Sequence, residues 1–361
     1  MRQVRLGREP MVKETIKDDF FKIDPECHLI ADVSLFDHHR GVKMWWGAVP
    51  NIFRALTSGL KEDEIGLEPS EWEHTPDPEN ILRAMDKYGV DIACLLPESM
   101  MDTTGYTSKW VTNEQMAKVV ESHPDRFIYH PNISPIKHKG VKNTIHELEY
   151  WVKEKGAKIV KFYPPEDTYI NDPDLWPFYE KAEELNVVLT IHTGWAWVPP
   201  GKAKYALPVL LDDVARDFSQ LRIIAFHMGY PYCDDLNMVA MGYPNVVLCL
   251  SLVQPWALTA PRKFARILGE ALRFAGPDRI VWGVDYAGAA SFMAIAVKGF
   301  LKFQIPEDMQ AGYGYPEITD EIRRKIFGEN LARMLGIDPK RRVRNGQTVP
   351  DSEPIYPQGQ I

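Results

Sequence analysis

Glu26, His28, His192, His227 and Asp285 are residues of a kind that can hold a cation and move a proton, and each stands just after an apolar, strand-like run. A metal needs ligands that converge from distant parts of a chain. Side chains leaving different strands of a closed parallel barrel do converge, at one mouth. In Glu26-Cys27-His28 the carboxylate and the imidazole are two residues apart, so on a strand both face one side and can share a cation. His192 ends the run VVLTI, His227 follows IIAF, and Asp285 follows VWGV. A single residue of this kind reads as well as a hydrogen-bonded strand end; four strand exits that each carry one form a pattern. Glu26, His28, His192 and Asp285 together would present two nitrogens and two oxygens to one divalent ion. That mixture suits zinc, and manganese nearly as well. His227, beside that shell, is the candidate general acid or base, because an unperturbed imidazole titrates at about 6.5. Asp285 is a candidate for both tasks, ligating the ion while orienting a water or a substrate hydroxyl.

Such convergence requires alternating elements, and the chain has them. Apolar, β-rich runs recur at Phe20–Ile23, Asp91–Leu96, Phe127–Ile133, Lys158–Tyr163, Val187–Ile191, Arg222–Phe226, Val246–Leu250 and Ile280–Val284. Between them Asp77–Tyr88, Asn143–Lys155, Pro173–Leu185 and Pro261–Phe274 place apolar residues at helical spacing. Asp77 and Asp172, each followed by proline, read as helix starts. Eight strands alternating with helices predict an α/β fold, a (β/α)8 TIM barrel. Residues 1–337 are expected to form one metal-dependent barrel domain. A long insertion at about 37–76 follows the first strand, and an irregular, Pro- and Gly-rich tail occupies 338–361.

Aromatic residues crowd the same strand exits. Trp195 and Trp197 follow His192, Trp256 follows the seventh strand, and Trp45 and Trp46 lie in the insertion. Flat apolar walls suit a ring-shaped substrate, and Arg40, beside His38 and His39, has the fork that clamps a carboxylate. Lys161, near the end of the fourth run, has two readings: a lysine paired with a carboxylate, or a carbamylated bridge between two metals.

The bulk properties narrow the partners. Fifty acidic residues against 42 basic ones leave a net charge of -8, which argues against nucleic acid, since phosphate neutralisation needs a basic face. The one dense basic run, Lys340–Arg344, reads as a solvated tail. The first 22 residues hold no apolar segment of the secretory kind, and no apolar stretch is long enough to span a membrane. Cys27, Cys94, Cys233 and Cys249 are widely spaced, which fits reduced thiols and a cytoplasmic protein.

The order Glu-x-His, His after strand five, His-x-Gly after strand six and Gly-x-Asp-Tyr after strand eight resembles the amidohydrolase superfamily. More narrowly, it resembles the branch containing aminocarboxymuconate semialdehyde decarboxylase and the nonoxidative aromatic acid decarboxylases. The likeness runs from about Lys22 to Ile337 and includes Ile318-Thr319-Asp320-Glu321 and Ile326-Phe327-Gly328-Glu329-Asn330. It implies one divalent metal on Glu26, His28, His192 and Asp285, with His227 beside it and a carboxylate with a neighbouring hydroxyl as the group bound. It also supports a homodimer or homotetramer. Two positions depart from the pattern: Tyr230 stands where a helper glutamate often follows the strand-six histidine, and Ala287 where proline often follows Asp-Tyr. The expected activity is nonoxidative decarboxylation of an aromatic or cyclic carboxylic acid. The alternatives are hydrolysis of a lactone or ring-cleavage product, or a hydratase; a non-catalytic binding barrel would lack a full ligand set.

Overall fold

The first strand breaks the hydropathy rule that finds the others. In this computed structural model, which describes residues 18–29, 40–73, 77–100, 111–285, 288–339, 343–344 and 347–348, β1 is Ile23–His28, not the apolar run beginning at Phe20. Four of its six residues, IDPECH, are polar or proline, and all six are buried. They are tolerated because each charge finds a partner. Asp24 Oδ1 accepts from the backbone N–H of Glu26 at 3.0 Å and of Val284 at 2.9 Å. Phe20 and Phe21 instead pack at the foot of the sheet, where Phe20 stacks on Phe327 at 5.8 Å.

The remaining strands follow in sequence: β2 Ile92–Leu96, β3 Phe127–Tyr129, β4 Ile159–Phe162, β5 Val188–His192, β6 Arg222–Phe226, β7 Val246–Cys249 and β8 Ile280–Val281. Neighbours pair in parallel in the order β1-β2-β3 and β4-β5-β6-β7-β8, and a bridge between Asn132 and Lys161 joins the two runs. β8 is shorter than its apolar run because the Trp282 N–H donates to the Ile326 carbonyl, at 2.8 Å, rather than to a strand. The seam between β8 and β1 is closed by the Asp24 carboxylate. Among the described residues this makes eight parallel strands in sequential order, the ring of a (β/α)8 barrel.

Helices separate the strands: α1 Arg40–Thr57, α2 Pro78–Tyr88, α3 Asn113–Ser122, α4 Val141–Glu149, α5 Trp176–Glu184, α6 Leu211–Asp217, α7 Cys233–Gly242, α8 Pro261–Phe274 and, after β8, α9 Ala290–Lys302. Asp77 caps α2 by accepting from the Glu79 N–H, as the Asp-Pro pair predicts. Asp172 does the same for a short 3-10 turn, Pro173–Leu175, that leads into α5. The segment expected as a long insertion holds α1, an 18-residue helix that carries Pro50 inside it, followed by the short turns Glu62–Ile65 and Pro69–Trp72. Its last turn is held by residues following β7: Trp256 Nε1–H donates to the Ala55 carbonyl at 3.2 Å, and the Thr259 hydroxyl to the Leu56 carbonyl at 2.9 Å. Two short strands of the tail, Val343–Arg344 and Gln347–Thr348, pair antiparallel. Among the described residues no helix is long and apolar enough to cross a membrane, and the four cysteines are free and buried.

Candidate active site

Asp24 is the residue that brings the ends of β1 and β8 together. By holding the N–H groups of Glu26 and Val284 it sets Glu26, His28 and Asp285 side by side. The His28 Nε2 lies 3.0 Å from Asp285 Oδ1 and 3.9 Å from Glu26 Oε1. One ligand atom from each of the three falls within 4.8 Å of the others. Asp285 takes a left-handed backbone, φ 59°, and His227 another, φ 63°. Both are non-glycine residues in a sparsely populated region, which persists where the surroundings over-determine it.

Burial and charge set the protonation of the cluster. Burial alone would pull the His28 imidazole down; its hydrogen bond to Asp285 and the charges of Glu98, Asp285 and Glu26 outweigh it and hold it at about 9. Asp24 is pushed up to about 7 by burial, in spite of its two backbone donors. Lys161, fully buried, donates to Glu26 Oε1 at 2.7 Å and lies 4.1 Å from the centre of the Phe226 ring. Of the two readings of Lys161, pairing with a carboxylate is the one seen.

The histidines of β5 and β6 form a chain. His192 Nε2 lies 2.9 Å from the Trp195 carbonyl, which can only accept, so Nε2 carries the proton and Nδ1 is bare. His227 Nε2–H then donates to that Nδ1 at 3.0 Å. This leaves His227 Nδ1 to accept from the Ser251 hydroxyl at 3.1 Å, with Glu26 Oε2 at 3.6 Å. Burial pushes His227 down to about 3 and His192 well below its ordinary range, so both are neutral. The titration near 6.5 expected of His227 does not survive its enclosure. The two exits approach closely because Gly194 has no side chain: a Cβ there would lie 2.3 Å from the Tyr230 carbonyl oxygen.

These groups form one end of a cavity of about 280 Å³. Trp45, Trp46 and Trp197 line it, as the sequence suggests. Three other candidates lie outside its wall. Arg40 is exposed at the start of α1, Trp195 is 52% exposed, and Trp256 is buried under α1 as its anchor. His38 and His39 lie outside the described residues. His192 is brought to His227, which donates to its Nδ1, but not into the group of three.

Sequence reasoning missed Glu98 and Tyr163. Glu98 leaves β2, is buried, and has Oε1 3.5 Å from His28 Nδ1; burial pushes its carboxyl up against the pull of Lys161 and His28. Tyr163 leaves β4, and its hydroxyl has no hydrogen-bond partner. The rule that found the histidines, a polar residue just past a strand, reaches Glu98 when extended one residue beyond Pro97; Tyr163 falls inside the fourth apolar run and escapes it.

The donor set fits a divalent ion. Two carboxylates and an imidazole meet at one point, and Glu26 Oε2 and His28 Nδ1 are buried without a hydrogen-bond partner. His192 would add a second nitrogen only if His227 released its Nδ1.

The fold and the cluster define an α/β barrel with a carboxylate–imidazole centre at the strand exits. The chain belongs to the amidohydrolase family, whose profile matches residues 23–337. It is similar to 2-amino-3-carboxymuconate-6-semialdehyde decarboxylase of Dictyostelium discoideum, 20% identical over 304 residues, covering 73% of this chain and 78% of the relative. In fold it matches the uncharacterised TIM-barrel protein Bb4693 of Bordetella bronchiseptica with a TM-score of 0.64 at 20% identity, over 87% of this chain and 98% of the other. It also matches 5-carboxyvanillate decarboxylase of Sphingomonas paucimobilis, at 0.57 and 18% identity, over 88% and 100%. A dihydroxybenzoic acid decarboxylase of Polaromonas with bound manganese and 2-nitroresorcinol matches at 0.54 and 18% identity, over 87% and 96%.

Proposed function

We propose that this chain is a divalent-metal-dependent decarboxylase of an aromatic or cyclic carboxylic acid. The observation that carries the reading is the group Glu26, His28 and Asp285 beside His227, at one end of a cavity walled by Trp45, Trp46 and Trp197. Glu26, His28 and Asp285 would hold the ion, with His192 as a fourth ligand once His227 releases its Nδ1. Two carboxylates with one or two imidazoles suit manganese, the metal bound in the Polaromonas relative, as well as zinc. When bound, the cation supplies positive charge that receives the substrate carboxylate and a neighbouring oxygen.

The chain's own groups handle the proton. His227, neutral at rest, would accept a proton at Nδ1 from the substrate hydroxyl, which would take the place of the Ser251 hydroxyl that donates there. Burial makes its conjugate acid a strong donor, so the proton passes on to the ring carbon that bears the carboxylate. The bond between that carbon and the carboxylate then breaks, its electron pair restores the ring, and carbon dioxide leaves.

A hydrolase of a lactone or ring-cleavage product is the second reading, favoured by Tyr230 in the place of a helper glutamate. There His227 Nδ1 would take its proton from water. The test is elemental analysis followed by a panel of hydroxylated aromatic acids and lactones with the reconstituted chain. Carbon dioxide release that is lost on chelation supports the decarboxylase; ring opening without carbon dioxide replaces it with the hydrolase.

A further inference from the structure

The proposed reaction gives the polar end of the cavity its task and leaves the apolar end without one. Helix α1 turns Trp45, Val49, Ile52, Phe53 and Leu56 onto that end, a spacing that lies along one helical face. Trp72 and Phe292 complete it, with rings edge-on to Phe53 at 5.6 and 5.1 Å. The ionisable groups of the wall come from strand exits instead, and among the described residues no lysine or arginine lines it. A charged group at the apolar end would lose its hydration with no lysine or arginine among the described wall residues to meet it.

We propose that the substrate carries, beyond the carboxylate at the metal centre, a bulky uncharged apolar substituent seated between α1, Trp72 and Phe292. The inference rests on the decarboxylase reading for the group at the polar end only. The cavity, about 280 Å³, has the volume of about nine liquid waters, which a bare ring and its carboxylate leave partly empty. Removing a methylene from water into such a space raises affinity about fourfold.

The test is binding of benzoate, 4-ethylbenzoate, 4-butylbenzoate and terephthalate to the metal-reconstituted full chain, by calorimetry, which needs no turnover. The dissociation constant should fall about fourfold per methylene along the alkyl series, with terephthalate no tighter than benzoate. Val49→Phe, which fills the end from α1, should collapse the ratio between butylbenzoate and benzoate. A flat series, or terephthalate bound as tightly as butylbenzoate, overturns the inference. Carbon dioxide release is measured separately on the same compounds. A steep series without release keeps the substituent and removes the reaction.

Discussion

The two ends of the cavity are built by opposite means. At the polar end, Glu26, His28, His227 and Asp285 come from three strands far apart in sequence, and each is fixed by a charge or hydrogen-bond partner. At the apolar end, five side chains come from one helix, held in place by Trp256 and Thr259 at its last turn. A network of paired charges tolerates little change, because each member left alone in a buried setting is costly. An apolar wall can be re-cut one side chain at a time, so the two ends should respond separately to substitution.

Substitutions should reveal that difference, most at the polar end. Glu26→Gln removes a proposed ligand and leaves buried Lys161 with only Glu98, at 4.0 Å, as its anion, a loss of up to about 3–5 kcal/mol, the range for a buried pair that loses one partner. Metal occupancy, turnover and melting temperature should all fall; an unchanged metal content would make Glu26 only the lysine's partner. Next, His227→Asn should keep the metal and lower turnover by about 10²–10⁴. An active variant would move the proton to another residue.

The metal-free centre should also compete with protons. The folded value of His28, about 9, lies above its ordinary 6.5. Its contribution to the metal-free fold is therefore complete below pH 6.5 and lost as pH rises through 9. A cation must displace that proton, so apparent metal affinity should climb about tenfold for each pH step between these values. A titration flat across that range would show that His28 is not a ligand, or is already neutral in the metal-free chain.

Smaller effects belong to the apolar end. Phe53→Ala should raise KM about tenfold with kcat and metal content little changed, a loss of binding shared by ground and transition states. If kcat falls instead, the wall takes part in the chemistry and the two ends are not independent. The smallest effect is expected of Arg40→Met. Arg40 is exposed and outside the cavity wall, so KM should not move; a rise would restore it as a carboxylate clamp.

The sequence by itself determined the alternation of strands and helices, the cap residues Asp77 and Asp172, and the strand exits that carry His192, His227 and Asp285. Those signals are local: an apolar run ended by a polar residue reads the same in any context. β1 was misplaced because IDPECH has the composition of a loop and becomes a strand only once Asp24 meets Val284, Glu26 meets Lys161 and His28 meets Asp285. Helix α1 was hidden by Pro50, although its apolar spacing is helical. Only the tertiary structure decided that Trp256 braces a helix rather than lining the cavity, that His192 is bonded to His227, and that Glu98 joins the cluster. Each of those outcomes depends on a partner distant in sequence, and no local pattern records which of two buried groups a side chain will meet.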